Sequence, residues 1–203
     1  MDMMTRRRAM MGAVSGPLPE WDYVWEYTDG LPDDNGWNKT ATGDGGASLI
    51  TAGLKITGTS SARLYYLNAD RFNVDTGVLE VVAKIVGTQS GQLIVSLGNG
   101  NGDAVQIRGQ YSTGNKGIWA CTAGSISGMT KLVSISSNTL YTIRLEKEPT
   151  TSRIYINGTL RYTGTAANKY GGDALNTSFG WWYANGTGNY PVFESVKLKL
   201  GRL

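Results

Sequence analysis

The segment Phe179–Asn189, FGWWYANGTGN, gathers aromatic rings beside Asn185, Thr187 and Asn189. Aromatic faces stack on the apolar faces of pyranose rings, and amide and guanidinium groups hold sugar hydroxyls. In an extended chain, successive side chains alternate between two faces. Phe179, Trp181 and Tyr183 then share one face, and Trp182 shares the other with Gly180 and Ala184. The small neighbours leave Trp182 standing clear. That suits a platform for a sugar ring, and it equally suits close sheet-to-sheet packing. Trp119, Tyr111 and Arg108 fall on neighbouring predicted strands. With Trp182 and Asn185 they form the candidate carbohydrate-binding set. Trp37 sits in a predicted loop, as a lid over the core or as a contact residue.

Cutting a glycosidic bond usually takes two carboxylates about 5–10 Å apart across it. The cleanest predicted strand, Leu79–Ile85, offers only Glu80. Asp22, Asp29, Asp33, Asp34, Asp44, Asp70, Asp75, Asp103 and Asp173 are scattered through predicted loops. Glu146 and Glu148 stand two apart on one strand, but Lys147 and the nearby Pro149 mark a solvated edge. The chain has no histidine. That removes Ser-His-Asp, Cys-His and His-ligated zinc chemistry, together with the usual proton carrier at neutral pH. No catalytic residue is assigned, and the expectation is a chain that is not an enzyme.

Gly98–Asp103, GNGNGD, strings oxygen-bearing side chains between two predicted strands. Calcium takes about six to eight oxygens, so Asn99, Asn101 and Asp103 are candidate metal residues. Asn-Gly repeats also make an ordinary hairpin turn, and one carboxylate is thin for a calcium cage. Asp33-Asp34-Asn35 is a second, weaker loop of this kind. No other cofactor is expected.

The net charge of +3 is unevenly placed. Arg6, Arg7 and Arg8 against Asp2 give +2 in the opening residues and leave +1 for the rest. A nearly neutral body argues against nucleic acid, which is held by a basic stripe that releases counterions. No apolar run approaches the roughly 20 residues of a membrane span. The single Cys121 cannot form an internal disulfide. Residues 1–16 read as a basic, Met-rich arm for docking or homo-oligomerisation. Thr5-Arg6-Arg7 also resembles the start of a twin-arginine export signal, although the apolar stretch that follows is short.

What positions these residues is a series of strands. Tyr141–Gly164, YTIRLEKEPTTSRIYINGTLRYTG, holds two alternating strands, with Ile143, Leu145, Ile154 and Ile156 on the predicted buried face. Asn157-Gly158 is a hairpin signal into a further strand. GVLEVVAKIV (77–86) alternates cleanly, and VFESVKLKL (192–200) closes the chain. About a dozen strands without a convincing helix, 28 glycines and only 5 prolines predict an all-β, antiparallel sandwich. Residues 17–203 read as one domain, with the last strand beside the first.

The hairpin, the pair TGVLEVVAKI and GQLIVSLGNG, and the closing ESVKLKLGRL together resemble the concanavalin A-like lectin/glucanase superfamily. The similarity is to its laminin G-like jelly rolls in particular. The opening MTRRRAMMG is similar to the start of small phage and prophage structural proteins. These resemblances imply a jelly roll that holds a glycan or cell-surface polysaccharide, displayed on a virion or bacterial surface. They also imply calcium near the sugar in many relatives. The alternatives are a structural virion or tail protein without a glycan, cytoplasmic before assembly, and a glycoside hydrolase or lyase with an unrecognised site.

Overall fold

In the computed structural model the described residues are 20–58, 63–67, 76–87, 91–98, 104–112, 115–121, 129–164, 177–184 and 190–201. They form fifteen strands and two short 3-10 turns. In chain order the strands are β1 (Tyr23–Glu26), β2 (Asn38–Thr42), β3 (Gly46–Ile50), β4 (Gly53–Thr57) and β5 (Arg63–Leu67). Then come β6 (Gly77–Val86), β7 (Gly91–Gly98), β8 (Ala104–Ser112), β9 (Asn115–Cys121) and β10 (Met129–Val133). Last are β11 (Tyr141–Lys147), β12 (Ser152–Ile156), β13 (Thr159–Gly164), β14 (Ser178–Ala184) and β15 (Tyr190–Leu200). No helix among the described residues is long and apolar enough to cross a membrane.

The strands make two antiparallel sheets, the expected jelly-roll-like β-sandwich. One sheet has eight strands in the order β13-β12-β11-β6-β15-β4-β3, with β1 also on β15. The other has seven, in the order β10-β9-β8-β7-β14-β5-β2. First and last strands pair, as the sequence predicts: Tyr23 faces Leu198 and Trp25 faces Val196.

Alternation decides which residues enter the space between the sheets. β6 buries Leu79, Val81, Ala83 and Ile85, and leaves Glu80, Val82 and Lys84 partly exposed. The four residues predicted from the hairpin, Ile143, Leu145, Ile154 and Ile156, are all in the core. The turn from β12 to β13 is the predicted Asn157-Gly158, with φ of 51° and 75°. Two successive positive φ values make a turn whose twist matches that of the strands, which is why Asn and Gly are placed there.

An aromatic knot fills one end of the core. Phe179 stacks with Trp25 (5.9 Å between centroids) and Tyr66 (5.5 Å), and meets Trp37 and Phe193 edge-on, both at 5.1 Å. Trp37 is thus the lid over the core, one of its two predicted roles.

Candidate functional site

The two sheets differ in where their strand carboxylates lie. The strands of the seven-stranded sheet contain no Asp or Glu; their charged residues are Lys39, Arg63, Arg108, Lys116 and Lys131. The strand carboxylates Glu26, Glu80, Glu146 and Glu194 all belong to the eight-stranded sheet.

The outer face of the seven-stranded sheet follows from what its strands give to the core. Leu93, Val95, Leu97, Val105, Ile107, Ile118, Ala120, Phe179 and Trp181 point inward. Ile94, Ser96, Gln106, Arg108, Trp119, Cys121, Ser178 and Gly180 therefore lie on the opposite face. Strand register gathers them into rows. One row runs Gly180, Ile94, Arg108, Trp119, Lys131 across β14, β7, β8, β9 and β10. The next runs Ser178, Ser96, Gln106.

Most of this polar face is sealed: Ser96, Gln106, Arg108 and Ser178 are buried. Trp119 is half-buried and Lys131 exposed, so the accessible part lies toward β9 and β10. The Lys131 ammonium stands 5.5 Å from the Trp119 ring centroid, a cation–π distance. Gly117 makes this possible. A Cβ there would lie 2.8 Å from Lys131 Cε, 2.9 Å from the Val133 carbonyl oxygen and 3.0 Å from Trp119 Nε1. Trp119 Nε1 and Ser178 Oγ are shielded from solvent and make no hydrogen bond. Such buried groups are costly to leave without a partner.

Cys121 shares the face and carries no nucleophile at neutral pH. Burial pushes its thiol up to about 11, against a smaller opposing pull from the Arg108 charge. Thr177 ties this region together, its hydroxyl accepting from Gly98 N at 3.4 Å and donating to Gly98 O at 3.3 Å.

Of the predicted carbohydrate residues, Arg108 and Trp119 are brought together as direct cross-strand partners. Tyr111 lies farther along β8, in register with Gly91 and Lys116. Trp182 lies in β14 at a register shift: Trp181 pairs with Leu93, and Tyr183 pairs with the adjacent Gln92. An extra residue in one strand interrupts simple alternation, so the predicted grouping of Tyr183 with Phe179 and Trp181 does not follow from the backbone. Asn185, Asn99, Asn101 and Asp103 lie outside the described residues, as does the arm at 1–16. The sequence reading missed Lys131, Gly117, Ser96, Gln106 and Ser178. Strand parity alone marks Ser96, Gln106 and Ser178 as outward, once Leu93, Ile107 and Phe179 are placed inward.

The second weak calcium loop uses part of its polar groups internally. Asp33 pairs with Lys39 at 2.8 Å, and the Asn35 amide donates to the carbonyls of Asp29 and Leu31. No group of three or more His, Cys, Asp or Glu gathers among the described residues.

The eight-stranded sheet corrects one reading. Glu146 is not a solvated edge residue; it is only 9% exposed. Its Oε1 lies 2.8 Å from Arg144 Nη2, and its Oε2 accepts from the Tyr155 hydroxyl at 3.3 Å. Arg153 pairs with Glu148 at 3.0 Å. Arg144, two residues away on the same strand, and Tyr155 and Arg153 on the neighbouring β12 together draw the carboxylate in. Arg144 is also the cross-strand partner of Glu80, whose carboxyl is raised above its usual range by burial, with Lys197 and Arg144 opposing. A cleft of about 300 Å³ adjoins, lined by Thr76, Gly77, Val78, Glu146, Lys147, Glu148 and Gly201.

No family model matches the chain, and no curated protein does. Solved structures do. A carbohydrate esterase from the Shiga toxin-encoding bacteriophage phi24B is 16% identical, with TM-score 0.61 over 87% of this chain and 95% of that one. Domain 4 of AbnA, a GH43 extracellular arabinanase from Geobacillus stearothermophilus in complex with arabinotriose, is 13% identical. Its TM-score is 0.52, over 88% of this chain and 91% of that one. The Crh5 transglycosylase in complex with NAG is 18% identical, with TM-score 0.63 over 88% of this chain and 84% of that one. These likenesses establish the sandwich fold. They also overturn the expectation that the chain is not an enzyme, because neighbours of its fold include an esterase and a transglycosylase. The lack of histidine excludes only chemistry that needs histidine. It leaves carboxylate, hydroxyl and cation chemistry available.

Proposed function

We propose that this chain engages carbohydrate through the outer face of the seven-stranded sheet. One observation carries the reading: the half-buried Trp119 ring, with an unpartnered indole N–H, set in a row between Arg108 and Lys131, with the exposed Lys131 ammonium over it. A ring face with converging polar groups is what a sugar needs. The reading is supported by neighbours of this fold that are a carbohydrate esterase, an arabinanase domain holding arabinotriose and a transglycosylase holding NAG. Trp182 and Asn185 remain proposed contributors, Trp182 from its place at the bulge of β14; Tyr111 is at a strand position of the opposite parity to Arg108. The setting we infer is a phage particle or bacterial surface, with residues 1–16 as a docking arm.

The test is a glycan array followed by titration calorimetry. A shallow platform binds with micromolar to millimolar Kd, roughly −4 to −8 kcal/mol. Trp119→Ala abolishes binding and shifts the thermal midpoint little, because the ring is half-exposed. Loss of the fold in that variant, or unchanged affinity, refutes the site. Absence of any glycan ligand favours the structural virion protein instead.

A second reading, hydrolysis, has one observation in its favour. Glu80 and Glu146 lie on the same face of adjacent strands, since Glu80 pairs with Arg144, two residues before Glu146. Such diagonal positions are about 7–8 Å apart. Burial lifts the Glu80 carboxyl, and Arg144 binds the Glu146 carboxylate. Release of reducing ends that Glu80→Gln abolishes and Trp119→Ala spares would establish it.

A further inference from the structure

We propose that the open edge of β3 pairs with β3 of a second copy of this chain, joining the two eight-stranded sheets across a two-fold axis at Ser48. The inference stands apart from the carbohydrate reading and uses another part of the molecule. A strand paired on one side only presents a row of N–H and C=O groups on which another strand can form. Among the described residues, β1, β2, β3, β10 and β13 are such strands. Four of them carry a charge that discourages pairing: Glu26 in β1, Lys39 in β2, Lys131 in β10 and Arg161 in β13. β3 reads Gly-Ala-Ser-Leu-Ile, with no charge and no proline.

Its side chains leave apolar surface open. Leu49 is in register with the buried Leu54, and Ala47 with the buried Ile56, so both take the core-facing side. Leu49 is nonetheless 42% exposed, and Ile50, on the other side of the strand, is 36% exposed. Covering such surface is favourable. The order of residues also makes the strand complementary to itself. In an antiparallel pair centred on Ser48, Leu49 of one copy stands opposite the partner's Ala47, and Ile50 opposite the partner's Gly46. Each bulky side chain meets a small one, twice over, as a two-fold contact requires. Nothing nearby requires glycine at position 46, where a Cβ would meet only Thr57 Oγ1, at an ordinary 3.6 Å. Self-pairing sets each residue near its own copy, so a charge in the strand would face its like. The same operation centred on Lys131 of β10 would set two ammonium groups against each other. The uncharged β3 avoids that conflict.

Sedimentation of the full chain from micromolar to submillimolar concentration should show a monomer–dimer equilibrium. It should stop at the dimer, because the two-fold contact uses up the edge. Ser48 is exposed, so charges placed there spare the fold. Ser48→Lys and Ser48→Glu should each weaken self-association at least about tenfold, with thermal midpoints little changed. An equimolar mixture of the two variants should restore the dimer, since opposite charges then meet on the axis. Ser48→Cys should form an intermolecular disulfide under mild oxidation. Directly opposed residues of antiparallel strands have Cα atoms about 4.5–5.5 Å apart, within disulfide reach. Cys121 is buried and does not compete. Leu160→Cys, also exposed but on edge strand β13, should form no such bond. A chain that stays monomeric, with no cross-link in Ser48→Cys, overturns the proposal. So does a dimer that both charged variants preserve. If that dimer is lost on deleting residues 2–16, the contact belongs to the arm instead. Assembly beyond the dimer, unaffected by either charge, places it on another surface and overturns the proposal as well.

Discussion

The Trp37 ring meets the Phe179 ring edge-on, with centroids 5.1 Å apart and planes at 82°. Trp37 comes from the stretch before β2, and Phe179 lies in β14, so the contact joins distant parts of the chain. Phe179 also touches Trp25, Tyr66 and Phe193, which makes it the hub of the aromatic knot. The edge-on geometry sets the positive ring edge against a negative ring face and adds about 0.5–1.5 kcal/mol beyond burial.

Phe179→Ala should therefore cost about 3–5 kcal/mol, and Trp37→Ala a similar amount, by urea denaturation. The double variant should lose less than the sum, because one contact is removed twice. Leu160, 49% exposed on the edge strand β13, is the control. Leu160→Ala should stay within about 0.5 kcal/mol. A loss of that small size at Phe179 would mean the knot does not hold the sheets together.

Gly117 gives a second prediction. A methyl group there meets the Val133 carbonyl, which belongs to the backbone and cannot turn aside. Gly117→Ala should destabilise by about 1–3 kcal/mol and move Lys131 off the Trp119 ring. Tryptophan fluorescence and urea denaturation read both effects. An unchanged midpoint would show that β10 shifts freely at this edge.

The hairpin was legible in the sequence for a physical reason. Ile143, Leu145, Ile154 and Ile156 sit on strands with one buried and one wetter face, so period two is written in the residue types. Asn157-Gly158 was legible because few residues tolerate two positive φ values. The bulge at Trp182 was not legible, since one extra residue against β7 leaves no mark in β14 itself. Nor was the burial of Glu146. Alternation tells which face a residue takes, but not that Arg144 and Tyr155 close over it. That every strand carboxylate belongs to the eight-stranded sheet could be read only after pairing had sorted the strands into two sheets.

Cys121 should react slowly in the folded protein. Its thiol is pushed up to about 11, so almost none is thiolate at pH 8, and the side chain is buried. Labelling with a disulfide reagent at pH 8 should proceed at the rate of opening and speed up sharply in urea. Prompt labelling without denaturant would place the thiol at a mobile edge instead.

Glu80 yields a pH dependence whose sign is fixed by its surroundings. Burial raises its carboxyl above the usual 4.5, and Lys197 and Arg144 offset only part of that rise. Arg144 is shared, since it also binds Glu146 at 2.8 Å. A raised value means the folded state holds the proton more tightly than the unfolded chain. The stability this contributes is fully present below pH 4.5 and is lost as pH rises through the folded value. Glu80→Gln keeps a neutral side chain at every pH and escapes that loss. The thermal midpoint of Glu80→Gln minus that of the unaltered chain should therefore increase from pH 4 toward pH 7. Melting curves across that window measure the difference directly. A difference that instead shrinks with rising pH would show that attraction to Lys197 and Arg144 outweighs burial, and that Glu80 is held ionised by its neighbours.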